Sequence, residues 1–219
     1  MQRIAVIDYG MGNLRSVSKA LEHVVDADCE IRVTSDQALI ADSDRVVCPG
    51  QGAANDCMRQ LAACGMDAAV RQAISDGRPF LGICMGLQVL LTASEENGGT
   101  PCLDILAGQV KRFSHGMRDA ATGNLLKVPH MGWSPVAHAG KHALWADIPS
   151  QARFYFCHSY YVVPDADDLA VGQCEYGQSF AAVLAKDNIF ACQFHPEKSA
   201  RDGLQLLANF AQWSPSSQH

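Results

Sequence analysis

The segment Gly82-Ile83-Cys84-Met85-Gly86-Leu87-Gln88 constrains this chain more than any other. It follows the apolar Pro79-Phe80-Leu81 and precedes Val89-Leu90-Leu91. That is the pattern of a strand, a sharp turn and a helix, with a cysteine at the turn. Glycines on both sides permit close backbone approach, so the thiol can stand at the strand's end. A helix N-terminus behind it would favour the thiolate, the nucleophilic form. The pattern is a nucleophile elbow with cysteine in place of serine. A cysteine taken alone is more often a buried structural thiol, so the reading needs a base.

A candidate base stands near the C-terminus in Gln193-Phe194-His195-Pro196-Glu197-Lys198-Ser199, directly after a strand pattern. Two residues apart on an extended backbone, His195 and Glu197 would point to the same side. Pro196 biases His195 toward that geometry. Glu197 would then hold the imidazole in one tautomer while His195 faces Cys84, giving a Cys-His-Glu triad. His195 alone reads as a satisfied strand-end histidine. Both motifs sit at the C-terminal ends of strands, where open α/β sheets place their sites, and jointly they favour catalysis.

The surrounding pattern supplies such a sheet. In the first half, apolar runs at Ile4–Ile7, Ile31–Val33, Arg45–Cys48 and Phe80–Ile83 alternate with helical spacings: Leu14, Val17 and Leu21, then 56–63 and 67–75. This predicts an α/β fold with a mixed, mostly parallel central sheet flanked by helices. In the second half, 109–113, 153–157, 169–175, 180–185 and 189–194 read as successive, additional antiparallel strands. Asp187-Asn188 reads as a tight turn. A last helix carries Leu204, Leu207 and Phe210. One domain over 1–213 is expected, with 214–219 as a frayed tail.

Composition narrows the function classes. Across 219 residues the net charge is −6, with no Lys/Arg concentration, which argues against broad nucleic-acid binding. No apolar run reaches membrane-spanning length and no signal peptide is evident. The nine cysteines are irregularly spaced and include no Cys-x-x-Cys pair, so neither a disulfide scaffold nor a zinc knuckle is expected. Cys48 and Cys192 read as small core residues, and a reducing, cytoplasmic setting follows. Gly10-x-Gly12 fails as a dinucleotide fingerprint because Arg15 stands where the third glycine belongs. His130 and His158 lack metal-ligand spacing, so structural or interface roles are expected and no metal or other cofactor.

Gly-x-Cys-x-Gly-x-Gln with a distant His-Pro-Glu resembles the class I, triad-type glutamine amidotransferases. Three further segments are Ile7-Asp8-Tyr9-Gly10-Met11-Gly12-Asn13-Leu14-Arg15-Ser16-Val17, Lys127-Val128-Pro129-His130-Met131-Gly132-Trp133 and Phe156-Cys157-His158-Ser159-Tyr160-Tyr161. They resemble, within that family, the glutaminase subunits of imidazole glycerol phosphate synthases. The similarity runs from Ile4 to about Phe210. It implies that Cys84 attacks the side-chain amide of L-glutamine, with His195 and Glu197 completing the triad. It implies an oxyanion hole from Met85 and the loop Gly50, Gln51 and Gly52. Substrate contacts would come from Gly52, Gln88, Glu96, Ser159 and Tyr160, with Glu96 suited to the α-ammonium. The blander readings are an ordinary helix residue for Gln88 and a solvated charge for Glu96.

The resemblance also implies a partner, the cyclase subunit with a (β/α)8 barrel, which receives the ammonia for histidine biosynthesis. Asn13, expected to cap the first helix, and Met131, Trp133 and Lys198 are candidates for the contact surface. An exposed Trp133 would be an interface anchor and a buried one a core residue. Two positions depart from the family pattern: Gln51 where valine is usual, and Ser134 where asparagine is usual. Rival readings are a paralogous subunit of surface-sugar amidation, a stand-alone γ-glutamyl cysteine hydrolase and a catalytically dead scaffold.

Overall fold

The computed structural model describes residues 1–119 and 122–215, so the expected tail lies outside the described residues from Ser216 onward. The first half alternates as its sequence predicts: β1 (Gln2–Ile7), α1 (Leu14–Val24), β2 (Cys29–Thr34), α2 (Gln37–Ala41), β3 (Arg45–Gly50), α3 (Ala54–Ala63), α4 (Met66–Ser75), β4 (Phe80–Cys84) and α5 (Met85–Gln88). There follow the short β5 (Ala93–Ser94) and β6 (Thr100–Pro101), then β7 (Gly108–Arg112), β8 (His130–Ala137), β9 (Ala152–His158) and β10 (Tyr160–Pro164). The chain closes with β11 (Ala170–Glu175), β12 (Ser179–Lys186), β13 (Ile189–Cys192) and α6 (Ala200–Gln212).

These strands form one sheet in the order β2-β1-β3-β4-β13-β12-β10-β7-β5-β6, with β11, β8 and β9 branching from β12. The five from β2 to β13 are mutually parallel. From β12 the pairing turns antiparallel, except for the short β5 beside β7. Alternation along each central strand divides the core in two, because successive side chains face opposite sides. Ile4, Val6, Val47, Leu81 and Ile83 pack with Val17 and Leu21 of α1 and Leu206, Leu207 and Phe210 of α6. Ala5, Ile7, Val46, Cys48 and Phe80 pack with Cys57 and Leu61 of α3 and Met66 and Val70 of α4. Cys48 and Cys192 are buried in these layers, as expected.

Three local expectations are corrected. The helix after the elbow is a single turn, Met85–Gln88. The carbonyls of Val89, Leu90 and Leu91 accept from the backbone of 103–106, so the chain bends away instead of winding on. Its macrodipole is correspondingly small, since the effect grows from aligned peptide units. Asn13 occupies the N-cap position of α1, but its side chain makes no capping hydrogen bond. His195 is extended, whereas Pro196–Lys198 forms one turn of 3-10 helix, so the His195 and Glu197 side chains do not meet along a continuous strand.

Candidate active site

Strand register assembles the site. In the parallel pairing of β3 with β4, Gly50 lies opposite Cys84. In that of β13 with β4, Cys192 lies opposite Ile83, so the chain beyond Cys192 runs past Cys84. Three neighbouring strands therefore end together and deliver the glycine loop, the thiol and the segment from Gln193 to Glu197 to one edge. Cys84 has φ 55° and ψ −105°, a conformation that side chains rarely adopt. Its flanking glycines are required by space. A Cβ on Gly86 would drive into the Cys48 carbonyl oxygen, and one on Gly82 would lie 2.7 Å from that of Gly86.

His195 Nδ1 lies 3.0 Å from Glu197 Oε1, with the two side chains 7% and 1% exposed. The His195 backbone is clamped: its N–H donates to Tyr155 O at 2.9 Å and its carbonyl accepts from Ser199 Oγ at 2.6 Å. Burial alone would lower the pKa of the imidazole. Hydrogen bonds and charge from Cys84 and Glu197 outweigh that and raise it to about 10. With Nδ1 committed to Glu197, Nε2 is left for the thiol.

A pocket of about 290 Å³ opens over these groups, and Cys84, Met85, Gln88, Glu96, His195, Lys198, Gln51, Gly52, Ser159 and Tyr160 all line it. Gly50 lies beneath, wedged against the Tyr9 hydroxyl and Met85 Cβ so tightly that no side chain fits. The Gln51 carbonyl is held by the Cys57 thiol at 3.4 Å. The Met85 N–H opens the helical turn, where backbone N–H groups lack intrahelical acceptors. Glu96 Oε2 accepts from Ala54 N at 2.7 Å, so Glu96 also caps α3. Gln88 is 2% exposed, not an outer helix residue, and its Oε1 is buried without a protein partner.

Of the other residues singled out in the sequence, His158 reaches the pocket wall, while Asn13, His130, Met131 and Trp133 do not line it. Met131 (60% exposed) and Trp133 (44%) stand on the open face of β8, and Trp133 packs edge-on to Tyr155. Asn13 sits at the start of α1. His130 and His158 are buried and joined Nδ1 to Nε2 at 3.0 Å. Among the described residues no group of three or more His, Cys, Asp or Glu could hold a metal. No helix among them is long and apolar enough to cross a membrane. Sequence reasoning passes over Gln193, which touches the Cys84 sulfur. Its place beside the elbow depends on the pairing of β13 with β4, which no local pattern in the residues shows.

A strained cysteine beside a histidine–glutamate pair, at the C-terminal edge of a parallel sheet, defines a cysteine-dependent acyl-transfer enzyme. Residues 5–213 match the family model "Glutamine amidotransferase class-I"; the chain belongs to this family. Within it, the chain is 57% identical over 214 residues to "Imidazole glycerol phosphate synthase subunit HisH" of Dechloromonas aromatica (strain RCB), covering 98% of each chain. It is 54% identical to subunit HisH 1 of Pseudomonas aeruginosa, covering 97% of this chain and 98% of the relative. At these identities it is a member of the HisH subunits. The fold is shared more widely. The structure of PurLQS from Thermotoga maritima superposes with TM-score 0.71 at 18% identity, covering 96% of this chain and 98% of that one. The glutaminase domain of Trypanosoma brucei CTPS, solved with bound acivicin, gives 0.63 at 18%, covering 98% and 95%.

Proposed function

We propose that this chain is the glutaminase subunit that hydrolyses L-glutamine at Cys84 and passes the ammonia to a (β/α)8-barrel cyclase subunit, for imidazole glycerol phosphate synthesis in the cytoplasm. One domain spanning 1–213 carries the whole glutaminase. The observation that carries the reading is Cys84 on its strained elbow, in one pocket with His195 and with Glu197 behind it.

Cys84 Sγ attacks the side-chain carbonyl carbon of glutamine while its proton resides on His195. The tetrahedral oxyanion is received by the Met85 N–H and the Gly50-Gln51-Gly52 backbone. His195 returns the proton to the departing nitrogen, the C–N bond breaks, and ammonia leaves a glutamyl thioester. Water then attacks the thioester with His195 as base, releasing glutamate and restoring the thiol. Glutamine and water are consumed; glutamate and ammonia are formed.

Gln88 offers a free acceptor for a substrate N–H, Glu96 its carboxylate for the α-ammonium, and Ser159 and Tyr160 their backbone. The exposed Met131 and Trp133, with Lys198 Nζ 5.9 Å above the Tyr155 ring, suit a docking surface beside the pocket. Docking there would keep ammonia out of water, where it is largely protonated at neutral pH. The free thiols fit a reducing compartment. Glutamate release tests the reading: the chain alone, with a cyclase subunit, and with cyclase plus its ribonucleotide substrate. Strong stimulation in the last is expected. Full activity of the chain alone would favour a stand-alone hydrolase.

A further inference from the structure

Amide side chains are chemically ambiguous, because either end can face a neighbour, but a backbone carbonyl can only accept. The Tyr160 carbonyl collects two donors, Gln88 Nε2 at 3.1 Å and His158 Nδ1 at 2.8 Å. It therefore fixes the sense of everything joined to it. With its nitrogen at Tyr160, Gln88 gives a second N–H to Gln193 Oε1 at 2.9 Å. That turns the Gln193 NH2 group toward Cys84 Sγ, 3.6 Å away. Reversing either amide would set two acceptors or two donors against each other inside the protein, where such a mismatch costs about 1–3 kcal/mol.

The same carbonyl orders the histidine pair. His158 donates through Nδ1, so its Nε2 is free to accept from His130 Nδ1 at 3.0 Å. His130 Nε2 in turn accepts from Ser134 Oγ at 2.8 Å. Burial keeps both rings uncharged, pushing His158 down to about 3 and His130 to about 4. One hydrogen-bonded chain thus runs from Ser134 on β8, beside the exposed Trp133, to the thiol. The other titratable groups near the sulfur are His195 with Glu197 behind it, Tyr9, Cys57 and Cys192. Burial holds the last three protonated, Cys57 up at about 11. Those three are thereby uncharged, and the side-chain hydrogen bonds to the Cys84 sulfur come from Gln193 Nε2 and His195.

We propose that Gln193 is a further catalytic residue: its amide, aimed by Gln88 and the Tyr160 carbonyl, donates to the Cys84 sulfur and supports the thiolate, with His130 and His158 as positioning residues on the same carbonyl. This rests on the reading of Cys84 as the nucleophile. Gln193 is fully buried and does not line the pocket, so it acts on the sulfur and not on glutamine.

The test is the pH profile of iodoacetamide alkylation of Cys84 in the full chain, read by peptide mass spectrometry, with glutamine kinetics alongside. In Gln193→Met the midpoint should move up by about one pH unit, making alkylation about tenfold slower at pH values below the parent midpoint. In kinetics, kcat should fall with KM unchanged. A folded Gln193→Met with the parent profile overturns the proposal. Should that variant not fold, Gln193→Glu keeps the shape and the acceptor for Gln88 but sets a carboxylate oxygen against the sulfur. Its midpoint should rise at least as far, and an unmoved midpoint overturns the proposal equally. For the positioning part, His130→Leu should shift the profile in the same direction by less, and His130→Asn, which retains a donor toward His158, should restore it. Equal profiles for those two variants remove His130 from the positioning role. Glutamine hydrolysis that survives Cys84→Ala would instead undo the nucleophile reading itself, a result distinct from all of these.

Discussion

The parallel and antiparallel regions of the sheet present their side chains in opposite ways. β3, β4 and β13 are buried at every residue, because helices cover both faces. β8 and β9 alternate buried and exposed positions along their lengths, so one face stays open. The parallel strands end together and bring the thiol, the glycine loop and the base to one edge. The antiparallel branch carries Met131 and Trp133 outward. The triad thus sits where packing is complete, and the surface proposed for docking where one face has been left unpaired. That division can be broken by substitution in each region.

The largest effect belongs to the nucleophile. Cys84→Ala should reduce glutamine hydrolysis by about 10⁴-fold or more, since the triad acts as a unit. The strand packing around it should persist, which thermal melting would register as little change. Residual glutamine-dependent turnover within about tenfold of the parent would show that the parallel edge does not carry the chemistry.

Glu197→Gln should follow, with about 10³-fold lower activity, because the imidazole loses its ionic orienting partner. It also has a pH signature. The His195 pKa is raised to about 10 in the folded protein, from 6.5 for the free imidazole. The stabilisation this supplies is therefore complete below about pH 6.5 and is lost as pH rises through about 10. Urea midpoints of parent and variant should differ at about pH 6 and converge above about pH 10. A constant difference across that range would mean that Glu197 holds His195 by shape and not by charge.

Gly86→Ala tests packing alone, with an expected loss of about 3 kcal/mol or more in unfolding free energy. Its Cβ would meet the Cys48 carbonyl oxygen, a rigid backbone atom of β3. Denaturant unfolding that matches the parent would show that the elbow can yield, and that its tightness does not require glycine.

How much of this is readable from the residues depends on the same contrast. Parallel strands covered on both faces leave near-continuous apolar runs, so β1, β3, β4 and β13 are legible to within a few residues. β8 escapes because Gly132 and Pro135 interrupt an already half-exposed strand, although its motif stands out. The elbow is legible since only glycine tolerates such approach. Its helix is not, because the loop at 103–106 that diverts it lies beyond any local pattern. His195 and Glu197 pair on a two-residue spacing, but a 3-10 turn makes the contact. Gln193 needs the register of β13 on β4, a long-range fact, before its position beside Cys84 can be seen. Glu96 caps α3 across the same kind of distance.

The smallest effect on the isolated chain belongs to the open face. Trp133 is 44% exposed and leans edge-on against Tyr155, centroids 6.2 Å apart, while Lys198 reaches over the same ring. Its truncation removes little packing, so Trp133→Ala should leave stability within about 0.5 kcal/mol and the intrinsic glutaminase unchanged. Under the docking reading proposed above, the exposed part of Trp133 is covered when the cyclase subunit docks. Binding to the cyclase subunit should accordingly weaken by about 2 kcal/mol, roughly 30-fold in Kd. Calorimetric titration of one subunit into the other, paired with thermal melting of the free chain, separates the two contributions. A large drop in Tm with unaltered Kd would place Trp133 in the core's service and remove the contrast between the regions.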